Sequence, residues 1–85
     1  MTFYHGTSKE NWTKIQNEGI LFGERRTISR CTYLATEQQE AEKYGDIILQ
    51  VEYDPFLHPK ENNYTPDCWQ IRVYEPISIE YVKRI

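Results

Sequence analysis

The sequence predicts a small α+β domain of about five short, mostly antiparallel strands and two short helices. Three observations lead there. Ile47 to Tyr53 and Trp69 to Tyr74 alternate apolar and polar side chains, the pattern of half-buried strands. Ser8 to Gly19 and Thr36 to Gly45 each begin with a helix-capping residue and end with a glycine. The chain has 85 residues, of which 39% are hydrophobic and 14% aromatic, enough for one core but not two. Residues 1–85 therefore read as a single domain, burying about 64% of its unfolded surface and needing no metal or disulfide staple.

The elements follow in order. Thr2 to His5 is a short, aromatic-rich strand that Gly6 and Thr7 break. Ser8 caps a helix over about residues 9–18, with Trp12 and Ile15 three residues apart on one face. Gly19 fits the position after the helix, where a left-handed backbone costs glycine little. Residues 21–31 are a basic loop, and Thr32 to Ala35 is a short strand. Thr36 with Gln39 has the spacing of a capping box, opening a helix to about Tyr44 that packs on Ala41 and Tyr44. The strand from Ile47 to Tyr53 places Ile47, Leu49, Val51 and Tyr53 on one side. Residues 54–67 carry Asp54-Pro55, His58-Pro59, Asn62-Asn63 and Thr65-Pro66, which marks a loop. In the next strand Trp69, Ile71 and Val73 face one way and Gln70, Arg72 and Tyr74 the other. After Pro76, the residues Ile77, Ile79, Tyr81 and Val82 supply a last strand with a short turn.

Composition excludes several classes. The longest apolar run is Ile47-Ile48-Leu49, too short for a membrane span. The first residues have neither a basic region nor an apolar run, so no secretion signal is read and a cytoplasmic protein is expected. Cys31 and Cys68 lack metal-ligand spacing and the chain has only two histidines, so no metal site is expected. The net charge of −3 argues against general nucleic-acid binding. It is uneven: Arg25, Arg26 and Arg30 against Glu24 give residues 23–32 a local +2. Arginine forks match phosphate oxygens, so this loop is either a solvated surface or a phosphate contact.

Three constellations can carry chemistry. In Tyr4-His5-Gly6-Thr7-Ser8, the imidazole can hydrogen-bond a ribose hydroxyl, and Gly6 lets the backbone approach a planar amide because no Cβ intervenes. The Thr7 hydroxyl adds a donor. Tyr33 at a strand and Tyr44 on the following helix can return to one cleft and sandwich a flat heteroaromatic ring, with cation–π attraction if the ring is charged. Gln70, opposite Trp69 and Ile71, can point at the same cleft. Each also has a plain reading: a surface histidine beside a turn, two core tyrosines, an exposed strand glutamine.

In this order, the His5-Gly6-Thr7 strand, the Glu18-Gly19-Ile20 helix end, Tyr33-Leu34-Ala35-Thr36, Ala41 to Tyr44-Gly45, and Gln70 with Val73-Tyr74-Glu75-Pro76-Ile77 resemble the ADP-ribosyltransferase superfamily. The likeness is to its diphtheria-toxin and poly(ADP-ribose)-polymerase branch, in a minimal version, and covers nearly all of the chain except 54–67. The resemblance implies an ADP-ribosyltransferase-like fold and NAD as substrate. It implies that His5 binds the adenosine ribose and Gly6 clamps the nicotinamide amide. It also implies that Thr7 contacts a ribose, that Tyr33 and Tyr44 stack around the nicotinamide, and that Arg25, Arg26 or Arg30 meets the pyrophosphate. His5, Tyr33 and Gln70 would be the catalytic set.

The chain departs from the family twice. Gln70 stands where the family carries a catalytic Glu, and a neutral amide orients the ribose without stabilising an oxocarbenium ion. Glu52 and Glu75 are the nearby carboxylates. The chain is also short, leaving little for an acceptor surface unless a second copy completes it. Two functions follow: transfer of ADP-ribose from NAD to a protein or nucleic-acid acceptor, or non-catalytic binding of NAD, ADP-ribose or a related signalling nucleotide. The second is the manner of a sponge or inhibitor, as small proteins of phage and mobile elements act.

Overall fold

The computed structural model describes residues 1–23, 31–57 and 69–85. They form a small α+β domain. The elements are β1 (Thr2–Thr7), α1 (Lys9–Glu18), β2 (Ile20–Leu21), β3 (Thr32–Ala35), α2 (Gln38–Ala41), β4 (Ile47–Glu52), β5 (Gln70–Val73), β6 (Ile77–Ser78) and β7 (Val82–Arg84). The main sheet has five strands in the order β5-β3-β1-β4-β7, and β2 with β6 makes a separate ribbon. All these pairings are antiparallel.

The first helix forms where its caps direct. The Asn11 N–H donates to the Ser8 hydroxyl at 3.1 Å, satisfying one of the amides that a helix start leaves unpaired. Gly19 closes it at φ 75°, its N–H 2.9 Å from the Ile15 carbonyl. The Gly19 carbonyl then accepts from the Ile79 N–H at 3.0 Å, tying the helix end to the second sheet.

One sheet face is the core. Antiparallel partners share a face, and alternate residues along a strand change face. Phe3, Leu34, Leu49, Val51, Ile71 and Val73 all fall on one side, and each is at most 1% exposed. Ile47 of β4, Ile15 of α1, Leu21 of β2, Ile77 of β6 and Tyr53 complete this cluster, with Trp12 packed at its margin. Removing such side chains from water stabilises the fold by roughly 1.5–3 kcal/mol each. The alternation predicted for Ile47, Leu49, Val51 and Tyr53 is observed, all four being buried. The opposite face is covered only in part. There α2 and a 3₁₀ turn at Glu42–Tyr44 pack over β1 and β3, and Ala35, Ala41 and Ile48 are buried.

Several boundaries differ from the sequence reading. Gly6 and Thr7 do not break β1, because their partners Ile48 and Ile47 carry the β4 ladder through them. Thr36 does not cap α2. Its N–H donates to the Trp69 carbonyl at 2.9 Å and its hydroxyl to the same oxygen at 3.3 Å, so sheet pairing takes the groups that a capping box needs. Glu37 holds the cap position without a side-chain bond, and the α-helix is only four residues long. Tyr44 is 60% exposed rather than packed. Trp69 precedes β5 and is 47% exposed, not part of the core with Ile71 and Val73. The last predicted strand is two strands in two sheets, separated by a 3₁₀ turn at Ile79–Tyr81. Of the predicted 54–67 loop, Pro55–Leu57 form a 3₁₀ turn, and its remainder from His58 lies outside the described residues.

Candidate functional site

Strand β1 pairs with β4 over its full length, from Thr2↔Glu52 to Thr7↔Ile47. With β3 it shares one registered pair among the described residues, Tyr4↔Ala35. Main-chain groups alternate in direction along an antiparallel strand. The Tyr53 N–H donates to the Met1 carbonyl at 2.9 Å, so Phe3, His5 and Thr7 direct their main-chain groups to β4. Tyr4 and Gly6 direct theirs to β3. On β3, the Thr36 bond to Trp69 sends Thr32 and Leu34 toward β5, and Tyr33 and Ala35 toward β1. Extending the Tyr4↔Ala35 register would set Gly6 opposite Tyr33. The ladder stops before that pair, which leaves a split in the β1–β3 pairing.

A side chain occupies one position in this split. The His5 Nδ1 lies 2.8 Å from the Tyr33 carbonyl oxygen. A carbonyl only accepts, so Nδ1 carries the proton and donates. In the neutral ring Nε2 is then an acceptor. Burial holds the imidazole below the ordinary histidine value of 6.5, with the Tyr33 hydrogen bond partly opposing it. The ring is therefore neutral near pH 7, and Nε2 can accept from a hydroxyl.

Gly6 lies against the segment that carries Tyr44. A Cβ built on Gly6 would lie 1.9 Å from the Ala41 carbonyl oxygen and 3.3 Å from the Tyr44 Cβ, so α2 and its 3₁₀ extension rest directly on the glycine. Gly45 repeats the device. A Cβ there would meet the Thr7 carbonyl oxygen at 2.2 Å. Tyr33 lies on the same sheet face as Gly6, on the far side of the split. Tyr33 and Tyr44 are 48% and 60% exposed, so neither is core.

Strand β5 brings the remaining groups. Ala35↔Gln70 and Tyr33↔Arg72 are register pairs, so Gln70 and Arg72 share the face of Tyr33, with Gln70 its diagonal neighbour. His5 arises from the opposite, core-side face and reaches the site only through the split. Arg72 is exposed and within hydrogen-bonding reach of the Tyr74 hydroxyl. The Cys31 sulfur, in reach of the Tyr33 hydroxyl, raises its pKa, and Arg72 opposes that. Arg72 shares this face, and sequence reasoning did not single it out. Its alternation with Gln70 and Tyr74 was visible, but its pairing with Tyr33 depends on a strand register.

The other residues of interest lie elsewhere. Thr7 is buried, 5% exposed, beneath Gly45. Glu52 pairs with Thr2 at the opposite end of β1 from Gly6 and accepts from the Thr2 hydroxyl. Glu75 accepts from the Tyr53 hydroxyl at 2.9 Å. Both carboxylates line a separate groove of about 510 Å³ together with Asp54 and Tyr81. Arg25, Arg26, Arg30, His58 and Cys68 lie outside the described residues. Among the described residues there is no group of His, Cys, Asp and Glu arranged to hold a metal, and no helix is long and apolar enough to cross a membrane. Comparison with protein-family models, with curated proteins and with solved structures found no match to this chain.

Proposed function

We propose that this chain binds NAD at the β1–β3 split and transfers its ADP-ribose unit to an acceptor. One observation carries the reading: the ladder stops beside Gly6, on a face that also bears the exposed Tyr33, with His5 bridging the strands there. A carboxamide offers a carbonyl oxygen that accepts and an NH₂ group that donates, so it can pair with a backbone N–H and C=O left outside the ladder. A nicotinamide so held lies between Tyr33 and Tyr44, whose faces attract a cationic ring. The Nε2 of His5 accepts from a ribose hydroxyl. In the reaction the bond from ribose C1′ to the nicotinamide nitrogen breaks, its electron pair leaves with neutral nicotinamide, and an acceptor nucleophile adds at C1′ and gives up its proton to solvent. Gln70 orients the ribose by hydrogen bonding and leaves the developing positive charge unopposed.

Gln70 also favours a second reading, in which the same cleft binds NAD, ADP-ribose or a related nucleotide without chemistry. Incubation with NAD, with nicotinamide release followed by mass spectrometry of the protein and a lysate, separates the two. Release that is lost in Tyr33→Ala supports transfer. Binding without release supports the second reading. Absence of NAD and ADP-ribose binding at millimolar concentration overturns both.

A further inference from the structure

Arg72 stands out once the sheet register is known. It lies on the edge strand β5, directly across from Tyr33 and on the same face. Directly opposed side chains on one face have Cβ atoms about 4.5–5.5 Å apart. The guanidinium is exposed, and among the described residues it makes no ion pair. The Tyr74 hydroxyl lies near it, and Gln70 and Tyr33 share the face beside it. The charge at this end of the cleft is therefore positive, in a chain whose net charge is −3.

On the nucleotide reading above, we infer that Arg72 is the phosphate anchor of the cleft, gripping the phosphate one ribose away from the ring stacked on Tyr33. The guanidinium suits that role because its planar fork donates two parallel hydrogen bonds to phosphate oxygens. A ribose and one ester oxygen separate such a ring from its phosphate, a span that an arginine side chain rooted opposite Tyr33 can cover. This places selection for phosphorylated ligands on β5, whereas composition alone directs attention to the basic segment at Arg25, Arg26 and Arg30.

Calorimetric titration with NAD, at low salt and at about 0.3 M salt, tests the inference on wild type, Arg72→Gln and Arg72→Lys. Arg72→Gln should weaken NAD binding by roughly ten- to hundred-fold at low salt, the scale of a lost charge-assisted hydrogen bond. Its affinity should also fall less with added salt than that of wild type. Arg72→Lys should lie between the two, keeping the charge and losing the fork. Unchanged affinity in Arg72→Gln overturns the anchor alone and leaves Arg72 as a charge that blunts a sheet edge. Weaker binding with the wild-type salt dependence also overturns it, because a merely structural loss does not alter screening. A wild-type protein that binds no NAD at millimolar concentration overturns the nucleotide reading itself, and the anchor with it.

Discussion

The imidazole of His5 donates from Nδ1 to the main-chain carbonyl of Tyr33 at 2.8 Å, at the point where β1 and β3 cease to pair. A side chain thus takes the acceptor that a continued ladder would have given to the Gly6 N–H. The bond also fixes the tautomer, so that Nε2 is the free acceptor of the neutral ring.

His5→Asn separates these two roles. An Asn amide N–H can replace the Nδ1 donor, but nothing replaces Nε2. The variant should keep wild-type secondary structure and a melting temperature within a few degrees, while NAD affinity falls by roughly five- to tenfold, the value of one hydrogen bond of about 1 kcal/mol. Equal affinity in the two proteins would remove His5 from the ligand site.

The depressed pKa of His5 predicts a pH effect on stability. The unfolded state takes up a proton near the ordinary value of 6.5, whereas the folded ring resists until a lower pH. Unfolding then binds protons, so this contribution is fully present above 6.5 and is lost as pH falls toward the folded pKa. Urea midpoints should drop from pH 7.5 to 5.5 by a larger amount in wild type than in His5→Gln (an unchanged difference would show that the ring is not desolvated).

The contacts of Gly6 and Gly45 predict that an added methyl group is not tolerated. A Cβ at these positions would sit 1.9 Å and 2.2 Å from backbone oxygens of Ala41 and Thr7. Gly6→Ala and Gly45→Ala should each cost about 1–3 kcal/mol, since backbone must move to make room. Gly19 has no atom within 4 Å of its Cβ position, so Gly19→Ala meets only the strain of its positive φ and should cost about 1 kcal/mol. Thermal melts of the three variants would order them, each kcal/mol shifting the midpoint by roughly 4–8 °C.

Tyr33→Ala and Tyr44→Ala should separate binding from folding in the opposite sense. Both rings are about half exposed, so each substitution should change stability by less than about 0.5 kcal/mol. Each should weaken NAD by up to roughly tenfold, the scale of one aromatic contact. A large loss of stability would instead make these rings structural.

Gln70→Glu tests the missing charge. If the cleft performs transfer, a carboxylate diagonal to Tyr33 should raise nicotinamide release, by on the order of 10²–10³ for a preorganised charge. No increase, with NAD still bound, would favour the binding role over transfer.

Much of the fold was legible because its causes are local. The caps at Ser8 and Gly19 act within one helical turn, and the alternation from Ile47 to Tyr53 needs no partner to be read. The residues of the candidate site, His5, Gly6, Tyr33, Tyr44 and Gln70, were picked by type and order alone. What failed were the features in which a distant segment competes. Thr36 has the sequence of a cap, yet Trp69, 33 residues on, takes its hydrogen bonds. Tyr44 has the spacing of a packed ring, yet its turn rests on Gly6 through the Ala41 carbonyl and the Tyr44 Cβ while the residue stays 60% exposed.

By itself, then, the sequence determined one small α+β domain, its core stripe and the residue types available for chemistry. Those follow from propensity, periodicity and burial, which act over a few residues. Only the tertiary structure decided that β3 lies between β5 and β1, that its ladder with β1 ends at Tyr4↔Ala35, and that Arg72 faces Tyr33 while Glu52 and Glu75 line another groove. Register is set by which faces bury together across the whole sheet, and moving it by one residue would send every one of these side chains to the other side.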